Sequence, residues 1–110
     1  MKYNLFIDDL RCLADVSLPN IDNVWHMART SQEATQCLET MGFLPEFISF
    51  DHDLGGTDTT MVFLRWLEYN TDYIQNSDPP DFQVHSSNPA GKLNIVSFME
   101  SWKKNRKNTK

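Results

Sequence analysis

Three short clusters in this 110-residue chain carry groups that could do chemistry. Asp8 and Asp9 stand together just before Arg11. Asp51, His52 and Asp53 precede a Gly55-Gly56 pair, and His85, Ser86, Ser87 and Asn88 lead into Pro89, Ala90 and Gly91. Carboxylates brought close together repel, and the repulsion is relieved when one takes up a proton or a divalent cation enters. Mg²⁺ or Mn²⁺ suits a few carboxylates, some retained water and a phosphate. The hydroxyls of Ser86 and Ser87 and the first amides of a helix opened by Asn88 to Gly91 suit phosphate oxygens. Arg11 could neutralise such a group bidentately, and His52 or His85 could move protons. Together these types describe metal-assisted phosphoryl chemistry. Each also has a plain structural reading: acids as turn formers and helix caps, His85 as a hydrogen-bonded strand-end side chain.

The clusters follow apolar runs that must position them. Residues 3–7 (YNLFI), 46–50 (EFISF) and 82–85 (FQVH) read as strands, and residues 23–29 (NVWHMAR) as another. Between them the spacing predicts helices. A short one over 10–18 is stopped by Pro19. A second starts with capping-box spacing from Thr30 to Glu33, carries Ala34, Cys37, Leu38 and Met41 on one face, and ends at Gly42. A third spans 58–73 with Phe63, Leu64 and Leu67 on one face. The last follows an Asn88 N-cap and Pro89, with Ile95, Val96, Met99 and Trp102 facing inward. Strand alternating with helix implies an α/β fold, with a mostly parallel sheet of about four strands and helices on both faces. Ligands of such sheets bind beyond the carboxyl ends of the strands, where the strand order reverses. Neighbouring strands lie about 4.8 Å apart, so Asp8-Asp9 and Asp51 converge if their strands are adjacent.

Composition bounds the rest. Forty per cent apolar residues, with 7 Phe, 3 Trp and 3 Tyr, suffice for one packed domain of this length. No run approaches the ~20 apolar residues of a membrane span and no leader pattern is evident, so a soluble cytoplasmic protein is expected. Cys12 and Cys37 have no metal or disulfide spacing and read as small buried or semi-buried residues. The net charge of −5 is uneven: 103–110 (KKNRKNTK) holds five of the 10 basic groups, leaving 5 basic against 15 acidic groups in 1–102. The acidic body argues against a nucleic-acid-coating surface and stable DNA binding. The expected division is a domain over 1–102 and a solvated basic tail over 103–110. Phe63, Trp66, Phe98 and Trp102 could stack bases, but their helical spacing favours core packing. His26 falls inside the second strand, so only His52 and His85 reach the strand ends, which ranks Zn²⁺ below Mg²⁺.

The strand-one pair Asp8-Asp9, Asp51 ending strand three and Ser86 or Ser87 after strand four resemble a receiver domain. Receivers place a Lys on a fifth strand, whereas here Gly91 runs straight into the last helix and Lys92 lies on it. A closer resemblance is to the cyclic-phosphate-processing receiver-like family, carried by LFIDDLR (5–11), ARTSQEA (28–34), ISFDHDLGG (48–56) and HSSNPAG (85–91). That resemblance implies a flavodoxin-like three-layer sandwich. It also implies a Mg²⁺ or Mn²⁺ held by Asp8, Asp9 and Asp51, with Asp53 completing the pocket. Asp51 would alternatively be a transient nucleophile. His85 or His52 would move protons, Ser86, Ser87, Asn88 and Gly91 would hold phosphate, and Arg11 would brace the acids or the substrate. The implied function is a metal-dependent phosphoesterase for 2′,3′-cyclic phosphate RNA ends or cyclic nucleotides, in RNA repair or nucleotide-based conflict. Two other readings stay open. One is a module that sequesters a nucleotide messenger, its charge offset by metal or by Arg11, Arg29 and Arg65. The other is a phosphoacceptor or protein-interaction domain using Asp51.

Overall fold

A computed structural model describes residues 2–70, 72–73 and 77–108, with side chains as far as residue 105. The apolar runs form four strands, β1 (Tyr3–Ile7), β2 (Val24–Ala28), β3 (Phe47–Phe50) and β4 (Asp81–Val84). All pair in parallel, in the order β2-β1-β3-β4. Three helices, α1 (Ser31–Met41), α2 (Thr60–Tyr69) and α3 (Pro89–Asn108), follow β2, β3 and β4. This is the expected receiver-like α/β arrangement, and its strand order reverses between β1 and β3.

The register decides which residues meet the helices. Ile7 pairs with Ala28 and Phe50, and Leu5 with Ile48, so these side chains share one face. On that face they form a single buried cluster with Ala34 and Leu38 of α1, Phe63, Leu64 and Leu67 of α2, and Ile95, Met99 and Trp102 of α3. Trp66 and Phe98 pack against the same cluster, so the four helical aromatics are core rather than a stacking platform. The other face carries Asn4, Phe6, Trp25, Phe47, Ser49 and Gln83, with Trp25 edge-on to both Phe6 and Phe47. Here the expected helix over 10–18 is absent. A single 3₁₀ turn at Leu13–Asp15 stands in its place. Asp15 accepts the Cys12 amide, and Pro19 and Asn20 prevent continuation. This connection covers the second face instead of a helix: Gln83 donates to the Ser17 carbonyl and Asn23 to Asn4. The third layer of the sandwich is therefore irregular.

Local chemistry explains the helix ends. Thr30 Oγ1 accepts the Glu33 amide at 3.0 Å while Glu33 accepts the Arg29 amide at 2.7 Å, a capping box displaced by one residue. Gly42 closes α1 at φ 79°, a conformation costly for other residues. In place of the third expected helix over 58–73, α2 runs from Thr60 to Tyr69 and is capped by Asn70, whose backbone leaves the helical region at ψ 76° while its amide and side chain both donate to the Trp66 carbonyl. The last helix is longer than expected. It runs to Asn108, so residues 103–108 belong to α3 and are not a separate frayed tail. Cys37 is half-buried, but Cys12 is exposed rather than packed. Among the described residues no helix is long and apolar enough to cross a membrane.

Candidate active site at the β1 and β3 carboxyl ends

Ladder bonds running one residue past the strands deliver the functional groups. The Asp8 amide donates to the Ala28 carbonyl, the Asp51 amide to Ile7 and the His85 amide to Phe50. The three side chains thus emerge at the same sheet edge, at the reversal point. One ligand oxygen from each of Asp8, Asp9 and Asp51 lies within 4.8 Å of the others. They line a cleft of ≈490 Å³ together with Leu10, Arg11, Asp53, Gly55, Gly56 and Ser87.

The two buried acids sit in opposite electrostatic situations. Asp8 is 1 % exposed, and burial alone would push its carboxyl up. Four donors outweigh that. Oδ1 accepts the Leu10 and Arg11 amides at 2.9 and 2.8 Å, and Oδ2 accepts the Arg11 guanidinium at 3.0 Å and His85 Nε2 at 2.9 Å. The net effect holds Asp8 below the usual carboxylate range. Asp51 is raised, first by burial and then by the charge of Asp8; the His52 amide, the Ser86 hydroxyl and Arg11 offset this only in part. Arg11 Nη1 lies 3.0 Å from Asp8 and 3.6 Å from Asp51 and so bridges them.

The histidines occupy supporting positions. His85 stacks on Phe6 at 5.0 Å, with only 7 % of its side chain exposed, between Asp8 on Nε2 and Ser49 Oγ on Nδ1. A carboxylate only accepts, so Nε2 carries the proton toward Asp8. The imidazole lies behind Asp8 and does not line the cleft. His52 Nδ1 meets Asp53 at 3.0 Å, and its ring lies against Gly91, where an added Cβ would come within 2.3 Å of Cγ. Proton transfer by either histidine, expected from sequence, thus has no direct contact with the cleft in this structure.

The phosphate residues also separate. Ser87 lines the cleft, while the Ser86 hydroxyl accepts the Asn88 amide at 3.1 Å and lies near enough to Asp51 to favour its charged form. Asn88 instead caps α3: Oδ1 accepts the Gly91 amide at 3.0 Å and Nδ2 donates to Asp53 at 3.1 Å. Gly91 is accordingly a packing glycine whose amide is already taken, not a phosphate donor. Asp53 stands outside the three-acid cluster, its oxygens held by His52 and Asn88, which lower its pKa.

Arg29, expected from sequence only as a charge that could offset a bound anion, donates to the carbonyls of Asp8 and Arg11 and pins the loop between them. Other contributors escaped the sequence reading. Thr60, fully buried, donates to the Asp51 carbonyl, and Asp58 accepts the Ser31 amide and hydroxyl, tying the β3–α2 loop to the start of α1. Gln83 and Ser49 support His85. Polar residues at inward positions of EFISF and FQVH were the available signal for this last pair.

Three carboxylates and Arg11 thus meet where the order of the parallel strands reverses. The profile of the cyclic-phosphate-processing receiver domain matches residues 3–101. The chain belongs to that family. No curated protein matches this receiver domain. A solved structure, a fusion of yeast Spc42 trimeric coiled-coil amino acids 181–211 to another structure, superposes with a TM-score of 0.55 at 15 % identity. It covers 97 % of this chain and 82 % of that one, a likeness of fold alone. The receiver domain keeps the reversal-point site of its fold but crowds it with an arginine and a supporting histidine.

Proposed function

We propose that this receiver domain is a metal-dependent phosphoesterase that opens cyclic phosphates, at 2′,3′-cyclic RNA ends or in cyclic nucleotides. The observation that carries the reading is the convergence of Asp8, Asp9 and Asp51 within 4.8 Å on a cleft that also holds Arg11 and Ser87. Hard oxygen donors of this kind fit Mg²⁺ or Mn²⁺, and Asp51, raised first by burial and then by the charge of Asp8, stands where a cation would favour its charged form. Asp8, Asp9 and Asp51 would hold it, Asp8 only once one of the four donors on its oxygens gives way. Bound there, a divalent cation supplies Lewis-acid polarisation of a phosphoryl oxygen. Arg11 offers a planar fork to the remaining phosphate oxygens, and Ser87 offers a hydroxyl. Asp51, which lines the cleft, accepts the proton of the attacking water. The water oxygen bonds to phosphorus, one ring P–O bond breaks, the departing ribose oxygen takes a proton from solvent to leave a phosphate monoester, and Asp51 returns its proton to solvent. His85 acts by holding Asp8.

The test is incubation with 2′,3′-cyclic-phosphate RNA and with cyclic mono- and oligonucleotides in Mg²⁺ or Mn²⁺. Turnover of one of them, lost in Asp51→Ala and on chelation, is expected. No turnover by wild type, or full turnover by Asp51→Ala, overturns the reading. The nearness of the Ser86 hydroxyl to Asp51 favours a second reading, a phosphoacceptor domain with a hydroxyl beside the acid that ends β3. Beryllofluoride or acetyl phosphate modification of Asp51 distinguishes that case.

A further inference from the structure

We propose that Arg11 is the resident counter-cation of the acidic site, that a divalent ion displaces it, and that the displaced guanidinium then takes the substrate phosphate. This rests on the metal-dependent reading above and specifies how that site is loaded. Arg11 Nη1 stands 3.0 Å from Asp8 Oδ2 and 3.6 Å from Asp51 Oδ2, the position between carboxylates that an ion would occupy. The guanidinium cannot be neutralised by deprotonation, so it and a divalent ion compete for the same negative charge. Asp8 Oδ2 already accepts two donors, Arg11 and His85, so direct ligation by this oxygen requires one of them to leave. His85 is stacked on Phe6 and tied to Ser49, whereas the Arg11 side chain is 37 % exposed. The arginine is therefore the group that moves. Its backbone stays, because the Arg11 amide remains on Asp8 Oδ1 and the Arg11 carbonyl on Arg29. The side chain then pivots about a fixed loop at the cleft wall, within reach of an anion seated over the ion.

This makes two predictions of opposite sign for one substitution. Arg11→Gln removes the competing charge, so Mn²⁺ alone, followed by electron paramagnetic resonance of the free ion, binds about tenfold more tightly than to wild type. Inorganic phosphate added to the Mn²⁺-loaded protein, followed by calorimetry, binds about tenfold more weakly to the variant. A merely structural role for Arg11 would weaken both. Arg11→Lys keeps the charge and restores weaker metal binding, and the amide envelope in NMR spectra establishes that each variant is folded. Unchanged or weaker Mn²⁺ binding by a folded Arg11→Gln overturns the proposal while leaving the metal site intact. Tighter Mn²⁺ binding without loss of phosphate affinity overturns its second half. Absence of Mn²⁺ binding in wild type and both variants overturns it together with the metal-dependent reading.

Discussion

Asp8 and Asp51 are chemically identical acids at neighbouring strand ends, yet their surroundings push them in opposite directions. Asp8 is lowered because four donors outweigh its burial, while Asp51 is raised by burial and by Asp8 itself. Their neutral isosteres should therefore have opposite effects in metal-free buffer at neutral pH. Asp8→Asn is expected to destabilise by about 2–3 kcal/mol, the worth of hydrogen bonds to a buried charge. Asp51→Asn is expected to stabilise, read as a rise in melting temperature, because it removes a charge that burial and Asp8 both disfavour. The pH dependence follows from linkage. Stability from the lowered Asp8 is present above the unfolded carboxylate pKa and is lost as pH falls through its folded value. The penalty from the raised Asp51 is present at neutral pH and is relieved as pH falls through its own folded value. Thermal melts from neutral to acidic pH should thus show both differences shrinking. A stabilising Asp8→Asn or a destabilising Asp51→Asn would contradict this account.

At the scale of elements, the site depends on how α3 begins. Its cap Asn88 bonds both to Gly91 and to Asp53, and its first turn passes the His52 ring so closely that Gly91 has no room for a Cβ. Gly91→Ala would favour the helix by propensity, yet the methyl group meets a ring flanked by Asp53 on one side and the helix backbone on the other. The steric term should dominate, costing about 1–3 kcal/mol in urea unfolding. A gain in stability would show that His52 is free to move aside. The β3–α2 loop is held at its other end by Asp58 on the start of α1, so Asp51 is braced by two helices as well as by its strand.

At the scale of the molecule, charge is arranged along α3. The helix starts at the site, and Lys103 and Lys104 stand three-quarters of the way along it, about 22 Å from its first residue. That is nearly three screening lengths at physiological salt, taking the Debye length as about 8 Å. Lys103 and Lys104 therefore do little for a phosphate bound at Asp51. Reversing both to Glu should leave turnover of a 2′,3′-cyclic mononucleotide unchanged and weaken only substrates long enough to reach along the helix. An equal loss with mononucleotide and long RNA, compared in steady-state assays, would contradict this placement. The acidic remainder of the chain repels phosphates, so a phosphate seated here needs positive charge at the site itself, which Arg11 supplies and the proposed divalent ion would add.

Much of this was legible in the chain alone. The four apolar runs, the Thr30 and Asn88 caps and the Gly42 stop are local signals, set by burial periodicity and by which side chains can satisfy orphan amides. They suffice for a parallel α/β sheet with acids at its strand ends. Tertiary structure decided the roles within those acids. Asp8 and Asp53 look as available as Asp51 in sequence, but one is saturated by donors from two strands' ends and the other is held by His52 and Asn88. The sequence left the histidines open between proton carriers and hydrogen-bonded strand-end side chains, and the fold stacks one on Phe6 and packs the other on Gly91. Spacing along a chain reports which groups share an element. Which lone pair meets which donor depends on contacts between residues as far apart as Asp8 and His85, and only the folded sheet brings those together.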